Sequence, residues 1–365
     1  MNVAEEIGIR FGNVNQSAFF STLRKRVDEY FKTNNISKFG NWRMAFKTIF
    51  MFSLYFVPFG LIMSNQLNEW TMLLMTVIMG TGFAGIGLSI MHDANHGTFS
   101  SKKGINKFFG YTLNMLGGSD VTWRIQHNHL HHTFTNIEGH DEDVSTIPLM
   151  RFNPHAKRRA IHRFQHIYVW FFYGLMTFFW ITGKDFVQLI RYDKRGLVKQ
   201  QKSTVSKEMT IMIITKILYY GYILVLPFIF LDVVWWKILI GFFTHHFVGG
   251  LVLAAIFQAA HVVEGPEFPK PDKQGNIENQ WAIHQICTTA NFGTNNRFLT
   301  WFVGGLNFQV EHHLFPGICH VHYKKISAIV EKTAQEFNLP YYTNPTFRHA
   351  LSSHVRLLKH FGRAA

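Results

Sequence analysis

Four long apolar runs are the feature that most constrains how this chain folds. They cover residues 46–63, 71–91, 209–231 and 238–260. A helix needs about 20 consecutive apolar residues to cross the hydrocarbon core of a bilayer. Because 47% of the 365 residues are hydrophobic and only 16% are charged, the composition also favours an integral membrane protein over a soluble multidomain enzyme. The sequence therefore predicts an all-α membrane protein with four transmembrane helices.

The links between these runs and the distribution of basic residues predict how the helices cross the membrane. The first link ("SNQLNEW") and the last ("DVVWWK") are short, so the helices are expected to form two hairpins, 46–91 and 209–260. Basic residues precede the first run, and by the positive-inside rule they place the N-terminus in the cytosol. Two complete hairpins then return the C-terminus to the same side. These basic residues are Arg24, Lys25, Arg26, Lys32, Lys38, Arg43 and Lys47.

The rest of the chain is expected to belong to the same single domain, 1–365. The apolar run 167–182 is short and flanked by Arg163 and Lys184, which favours a helix lying in the headgroup region; a fifth span is the alternative. The formal charge of +14 favours anionic lipid headgroups over nucleic acid as partners. The expected segments are a cytosolic amphipathic N-terminus at 1–45, a cytosolic and interfacial region at 92–208, and a helical cytosolic cap at 261–365.

Histidines recur in groups near the ends of the predicted spans and in the polar segments that follow them. On an α-helix, residues three and four apart share a face, so a group can present two or three imidazoles in one direction. Eight such histidines suit two metal ions better than one, and neutral imidazole suits iron, copper or zinc. The groups are His92 and His96 in "HDANH", His127, His131 and His132 in "HNHLHH", the single His261, and His312 and His313 in "QVEHH", where Gln309 shares the helix face.

Other polar residues have both a structural and a functional interpretation. Any one histidine pair is weak evidence in a chain with 21 histidines, and the strong signal is the whole set at one membrane face. His245 and His246 lie inside the fourth run, roughly 22 Å along a helix from His261, and are predicted to be a satisfied polar pair rather than ligands. The acidic residues Asp141, Glu142 and Asp143 in "GHDEDV" either orient ligand imidazoles or belong to a solvated loop.

Three segments, "HDANH", "WRIQHNHLHHTFTN" and "NFQVEHHLFPGICHVHY", resemble the three histidine boxes of the integral-membrane fatty acid desaturases. The resemblance covers residues 90–323. It implies an O2-dependent oxidation at a non-haem centre of two iron ions, with no catalytic residue apart from the metal ligands. The ligands that it implies are His92, His96, His127, His131, His132, His312 and His313, and His261 matches the extra histidine that this family places after its fourth membrane helix.

Gln309 stands where many desaturases have histidine, and is a possible ligand or a support for one. This variant resembles the front-end group, which inserts a double bond between an existing one and the carboxyl end. The His-Pro-Gly-Gly haem motif of fused cytochrome b5 domains does not occur in the sequence, so electrons are expected from a separate ferredoxin or cytochrome b5. The chain is similar in this respect to bacterial, linoleoyl-CoA-desaturase-like members. That similarity favours a bacterial inner membrane and an acyl substrate linked to CoA, a carrier protein or a lipid.

Three other classes of protein share part of this pattern. A lipid or carotenoid hydroxylase has the same metal centre, but its product gains an oxygen atom where the product of a desaturase loses two hydrogens. A membrane b-type cytochrome uses paired histidines as axial haem ligands, and its haem absorption would distinguish it. A divalent-metal transporter is disfavoured because its ligands are expected near the bilayer midplane, whereas these histidines lie at the ends of spans or beyond them.

Overall fold

Four helices in the computed structural model are long and apolar enough to cross a membrane, which confirms the four predicted spans. The structure describes residues 8–12, 17–144 and 148–364 of the chain. The helices extend a few residues beyond the apolar runs because polar residues complete their end turns. In chain order they are membrane helix 1 (Trp42–Met63), membrane helix 2 (Glu69–Asn95), membrane helix 3 (Val205–Phe230) and membrane helix 4 (Trp235–His261).

Three of these helices are preceded by a polar N-cap residue whose side chain accepts a hydrogen bond from the first turn. Asn41 Oδ1 accepts a hydrogen bond from Arg43 N at 3.0 Å before membrane helix 1, and Asn68 Oδ1 accepts one from Thr71 N at 3.0 Å before membrane helix 2. Thr204 caps membrane helix 3 in the same way. Since the first backbone N–H groups of a helix have no partner within it, these side chains help to fix where each helix starts.

The chain divides into two compact units. The first histidine group lies in the membrane unit, and the other groups lie in the polar unit. The membrane unit consists of residues 41–125 and 170–255, and the polar unit consists of residues 1–40, 126–169 and 256–365. Three helices contain residues of both units, namely the π-helix Arg124–His131, the helix Gln165–Phe179 and membrane helix 4.

The membrane unit contains short helical segments besides its long helices. Two π-helical stretches, Ile86–Met91 and Gly221–Val225, interrupt membrane helices 2 and 3. The described part of this unit contains no strand. Its other segments are Lys103–Gly110, Thr112–Met115, Asp120–Trp123, the π-helix Trp180–Lys184, Asp185–Lys194 and Leu197–Gln200.

Membrane helix 2 packs against two other helices through glycines. A Cβ atom on Gly82 would lie 2.8 Å from the backbone of Leu54 and Tyr55 in membrane helix 1. A Cβ atom on Gly80 would lie 2.6 Å from the carbonyl oxygen of His245 in membrane helix 4. The absence of side chains at these two positions lets the backbones approach closely, which is a common way for helices to pack in lipid.

The two hairpin links lie at the same end of the membrane unit. Asn65 in the first link donates a hydrogen bond to Phe230 O at 2.7 Å and accepts one from Asp232 N at 3.1 Å. Lys237 of membrane helix 4 forms an ion pair with Glu69 of membrane helix 2. This arrangement agrees with the two hairpins predicted from the short links.

A buried ion pair holds the segment that follows the shorter apolar run 167–182. Lys216 Nζ lies 3.0 Å from Asp185 Oδ2, and Asp185 Oδ1 accepts hydrogen bonds from Thr122 at 2.7 Å and from the indole of Trp180 at 2.8 Å. A buried charge is costly unless it is paired and hydrogen-bonded, and this network meets that requirement. The run 167–182 is not among the four helices that are both long and apolar enough to span a membrane, and its interfacial position stays a prediction.

The polar unit is mainly helical, with two short pairs of parallel strands. Arg10–Phe11 pairs with Asn276–Ile277, and Ala290–Phe292 pairs with Tyr342–Asn344. Both pairs join segments that are far apart in the sequence. The other elements are the helices Ser17–Thr33, His132–Phe134, Trp281–Cys287, Arg297–Phe302, Gln309–Leu314, Tyr323–Glu336 and Phe347–Arg363, and the 3-10 helices Ala160–Phe164 and His320–His322.

The predicted amphipathic N-terminal segment contains the helix Ser17–Thr33. Phe19, Leu23 and Val27 recur at intervals of four residues, so they share one face of this helix, and all three are buried. They belong to an apolar core that also contains residues of the helix Tyr323–Glu336. The apolar face of the N-terminal helix therefore packs within the polar unit.

Gly82→Ala is expected to destabilise the membrane unit because the added methyl group would collide with the backbone of membrane helix 1. Overpacking of this kind typically costs about 1–3 kcal/mol. The matched control is Gly60→Ala in membrane helix 1, where a Cβ atom meets nothing within 4 Å. Thermal unfolding of both variants in detergent should show a lower melting temperature for Gly82→Ala alone, and equal melting temperatures would contradict the close contact.

Candidate metal centre

The second histidine group lies on the π-helix Arg124–His131, which continues into the helix His132–Phe134. The wider turns of a π-helix bring residues five apart together. His127 and His132 accordingly point the same way, and their Nε2 atoms are 3.3 Å apart. The predicted α-helical pairing of His127 with His131 is also observed, as stacked rings whose centres are 5.2 Å apart.

Three imidazoles of the polar unit form a first cluster. His132 Nε2 lies 2.9 Å from Nε2 of His312 and 3.3 Å from Nε2 of His127. All three side chains are buried, the most exposed of them by only 6%. Three ring nitrogens therefore converge inside the protein rather than at its surface.

A second cluster in the same unit consists of His131, His261 and His313. The three distances between their ring centres are 4.7, 4.8 and 4.9 Å. One ring nitrogen of each histidine lies within 4.8 Å of one from each of the other two. His261 is the last residue of membrane helix 4, and all three rings are fully buried. The single His261 and one histidine from each of the two adjacent pairs thus form a nearly equilateral triangle of ring centres.

Both clusters fit a metal ion. Metal–imidazole bonds of about 2.1 Å place neighbouring ligand atoms about 3 Å apart, and the separations of 2.9 and 3.3 Å in the first cluster match this spacing. In the second cluster, Nε2 of His131 and Nε2 of His261 are buried and have no hydrogen-bond partner among the described residues. An unpaired buried polar atom costs about 1–3 kcal/mol, and a bound metal would remove this cost.

Two aspartates hold the outer nitrogens of two of these histidines. Asp143 Oδ2 lies 2.8 Å from His127 Nδ1, and both carboxylate oxygens of Asp141 lie 3.0 Å from His131 Nδ1. Although burial disfavours the charged form of Asp143, hydrogen bonds from His127 and Gln126 hold its pKa below the usual range. Burial raises the pKa of Asp141, although the His131 ring opposes the shift. Of the two interpretations of the acidic segment, these contacts of Asp141 and Asp143 favour the orientation of imidazoles over a solvated loop, and the Nε2 atoms of His127 and His131 face inward.

Two other side chains lie beside the outer nitrogens of the last histidine group, and neither has a clear sequence signal. Gln285 Oε1 lies 2.7 Å from His313 Nδ1 and also accepts a hydrogen bond from Thr135 at 2.9 Å. The Tyr323 hydroxyl lies 3.1 Å from His312 Nδ1. Tyr323 ends the "CHVHY" segment of the third box, which offered a weak signal. No motif or spacing marks Gln285.

A buried hydrogen-bond network holds the helix Gln309–Leu314, which carries the last histidine pair. Glu311 accepts hydrogen bonds from Asn291 at 2.9 Å and from Tyr341 at 2.8 Å. Asn291 in turn accepts one from Val310 N at 2.9 Å. Burial raises the pKa of Glu311 to about 7. The network fixes the orientation of this short helix and therefore the direction in which its histidines point.

The first histidine group lies in the membrane unit, in the last turn of membrane helix 2 and directly after it. The rings of His92 and His96 are 4.6 Å apart, as their four-residue spacing predicts, and both contact the ring of Trp123. Gln309 is buried in the first turn of its helix in the polar unit. A role for His92, His96 and Gln309 in binding metal stays a prediction.

The predicted satisfied pair in membrane helix 4 is only half correct. His246 is satisfied, because the Tyr219 hydroxyl lies 2.5 Å from its Nε2 and the Thr177 hydroxyl lies 3.3 Å from its Nδ1. The prediction is wrong for His245, whose two ring nitrogens are buried and have no partner among the described residues. The ring of His245 packs edge-on against the rings of Tyr55 and Phe83.

The fold and the site together define a helical membrane protein whose buried imidazoles can hold metal. The model of the fatty acid desaturase family matches residues 68–345, and the chain belongs to this family. It is therefore an oxidoreductase that acts on acyl chains, as the three histidine segments predicted.

Three similar proteins are named as lipid desaturases. The chain is 36% identical to an sn-1 linoleoyl-lipid 6-desaturase of Synechocystis sp., over 95% of this chain and 96% of that protein. It is 34% identical to a protein of the same name from Arthrospira platensis, over 93% and 92%. It is 35% identical to an acyl-lipid (8-3)-desaturase of Physcomitrium patens, over 97% of this chain and 74% of that protein. Nothing in these relatives supports the hydroxylase alternative.

Gln285→Leu is expected to weaken metal binding at the second cluster because His313 loses the acceptor that orients its ring. Loss of such a partner typically costs about 10–100-fold in metal affinity. Metal content after exposure of the purified protein to graded chelator concentrations measures the effect. The matched control is Gln335→Leu, at an exposed position of the helix Tyr323–Glu336. Equal metal retention by both variants would contradict the positioning role of Gln285.

Proposed function

We propose that this fatty acid desaturase inserts a double bond on the carboxyl side of an existing one in a lipid-linked acyl chain, and that its cofactor is a di-iron centre. The observation that carries the proposal is the presence of two separate clusters of buried, convergent imidazoles. In the overall reaction, two adjacent methylenes, one O2, two electrons and two protons give a double bond and two waters. The clusters are His127, His132 and His312, and His131, His261 and His313.

Each cluster holds one iron in this proposal. His92 and His96 complete the ligand set, because "HDANH" matches the first histidine box of the family, and Gln309 is a further ligand or a support for one. Neutral imidazole is a suitable ligand for iron. The bound iron supplies the one-electron and O2 chemistry that oxidation of an unactivated hydrocarbon requires. No catalytic side chain apart from the ligands is proposed.

The residues around the clusters prepare the imidazoles for this role. Carboxylate or amide oxygens of Asp143, Asp141 and Gln285 each lie within hydrogen-bond distance of one Nδ1 atom, and the Tyr323 hydroxyl lies beside a fourth. An Nδ1–H group that donates to such an oxygen leaves Nε2 without a proton and able to bind metal. Burial of both clusters keeps bulk water away from the reacting hydrocarbon, and so limits side reactions. The protein thereby controls ring orientation, protonation and water access.

Two features support the front-end position of the new double bond. Gln309 replaces a histidine of the third box in the way that is typical of front-end desaturases. The similar proteins are named as 6-desaturases and as an (8-3)-desaturase, and the same names support a lipid-linked substrate rather than one on CoA or a carrier protein. The headgroup of such a substrate, bound at a basic surface, would set the distance from the carboxyl end to the oxidised carbons.

The cellular arrangement follows from the same resemblance and from charge. We place the protein in a bacterial inner membrane, as a single domain, 1–365, with both termini and the metal centre in the cytosol. The basic residues before membrane helix 1 support this orientation. A separate ferredoxin or cytochrome b5 supplies the electrons.

Expression in a host that lacks polyunsaturated fatty acids, with linoleate supplied, tests the activity. Gas chromatography with mass spectrometry should show a product with two fewer hydrogens and a new double bond on the carboxyl side of the existing ones. His312→Ala should reduce this product at least a hundredfold because the first cluster loses a ligand. His360→Ala, at an exposed position near the C-terminus, should leave it unchanged.

The products also separate the proposal from its alternatives. A new double bond on the methyl side would contradict the front-end assignment, and an added oxygen would favour a hydroxylase. Separate analysis of the lipid and acyl-CoA pools soon after addition of linoleate identifies the substrate, since the product should appear first in the lipids. Product formation by His312→Ala at the unmodified rate would refute its assignment as a ligand.

A further inference from the structure

A cavity of about 420 Å³ lies within the membrane unit, among the four membrane helices and near the two hairpin links. Its volume is within the range of about 300–1,000 Å³ that is usual for small-molecule sites. Most of its lining is apolar, with Phe59 and Ile62 from membrane helix 1, Leu73 and Met79 from membrane helix 2, and Phe242 from membrane helix 4 among the residues that form it. An apolar molecule is the kind of ligand that such walls accept.

The two ends of the cavity differ in polarity. Lys237 and Glu69 line one end and form an ion pair with each other, next to Trp70, which is 81% exposed. His245 lines the cavity eight residues further along membrane helix 4, which corresponds to about 12 Å of helix rise. A ligand therefore enters past an exposed tryptophan and an ion pair, and reaches a histidine at the inner end.

Of the adjacent residues His245 and His246, only His245 has no hydrogen-bond partner among the described residues. His246 bonds to Tyr219 and Thr177, whereas both nitrogens of His245 are buried, at 1% residue exposure, without a partner among the described residues. A neutral imidazole carries one N–H donor and one lone-pair acceptor, and both need a hydrogen-bond partner when they are buried. Such a group inside a membrane protein is costly and usually marks a binding or transport site. Because His245 lines the cavity, a ligand in the cavity can supply this missing hydrogen-bond partner.

The charge of the lining limits the ligand further. Lys237 and Glu69 are the charged residues of the cavity lining, and they neutralise each other. An anionic or cationic group deep in the cavity would therefore have no counter-charge, and burial of such an unpaired charge is unfavourable. Thr76 also lines the cavity, but its hydroxyl already donates to Leu73 O at 2.7 Å. The indoles of Trp70 and Trp236 also line the cavity, next in sequence to Glu69 and Lys237, so His245 is left as the polar contact at the inner end.

From these observations we infer that the cavity binds a neutral single-chain lipid, such as a long-chain alcohol, whose hydroxyl group bonds to His245. The apolar chain lies against the membrane-helix side chains and points toward the Lys237–Glu69 pair. The inference is independent of the proposed metal centre, because every lining residue belongs to the membrane unit and none is a proposed ligand.

Photolabelling of the full-length protein in lipid nanodiscs tests this site. The probes are decanol with a mid-chain diazirine and the decane analogue with the same diazirine. The alcohol should label peptides within 59–79 and 223–245, and unlabelled decanol should compete with it. His245→Phe should reduce this labelling at least fivefold, because the ring volume is kept and the hydrogen bond is lost. Labelling by the decane probe should be weaker and unaffected by the substitution.

Two matched variants complete the test. Thr76→Val removes a hydroxyl from the same lining that is already bonded within its own helix, and should leave alcohol labelling unchanged. His245→Asn keeps a hydrogen-bonding group and should retain more labelling than His245→Phe; melting temperatures verify that all variants are folded. Equal labelling by the two probes, no competition, or full labelling of folded His245→Phe would overturn the inference. Absence of competition by unlabelled decanol is the result expected if water alone fills the cavity.

Discussion

Hydrogen bonds at the Nδ1 atoms of His127, His131, His312 and His313 are the constraint on which the two imidazole clusters depend. A free imidazole can rotate and can carry its proton on either nitrogen. An acceptor at Nδ1 fixes both the ring plane and the tautomer, so that Nε2 becomes the ligand atom. The acceptors come from separate parts of the polar unit, such as Asp141 in a loop and Gln285 in the helix Trp281–Cys287. Much of this unit thus acts as a frame for orienting rings.

The adjacent histidine pairs in the second and third boxes follow from the same geometry. Successive residues on a helix point about 100° apart, so two neighbouring histidines cannot serve one ion equally well. His132 and His312 accordingly belong to the first cluster, whereas His131 and His313 belong to the second. Each pair therefore contributes to both clusters, and the two clusters are held at a separation set by the backbone of two short helices.

The sequence predicted the features that depend on a local pattern of residues. It did not predict contacts between residues that are far apart in the chain. The spans were predictable because length and hydropathy determine them, and His92 and His96 were predicted to pair because four residues make one helical turn. The π-helical turn that joins His127 to His132 has no clear signature in a single sequence. Gln285 could not be identified because only the tertiary fold brings it to His313. His245 was misjudged because an adjacent histidine does not ensure that both find partners.

A ligand set made only of imidazoles also explains why a carboxylate lies beside a ring in the polar unit. Neutral rings donate electrons to a metal but do not compensate its charge. The ionised side chain of Asp143, whose pKa is held low by hydrogen bonds from His127 and Gln126, would provide that compensation for a metal bound on the far side of the His127 ring. A carboxylate that bound the metal directly would instead occupy one of its coordination positions. With the negative charge one ring away, the electrostatic stabilisation would be retained and that position would stay open.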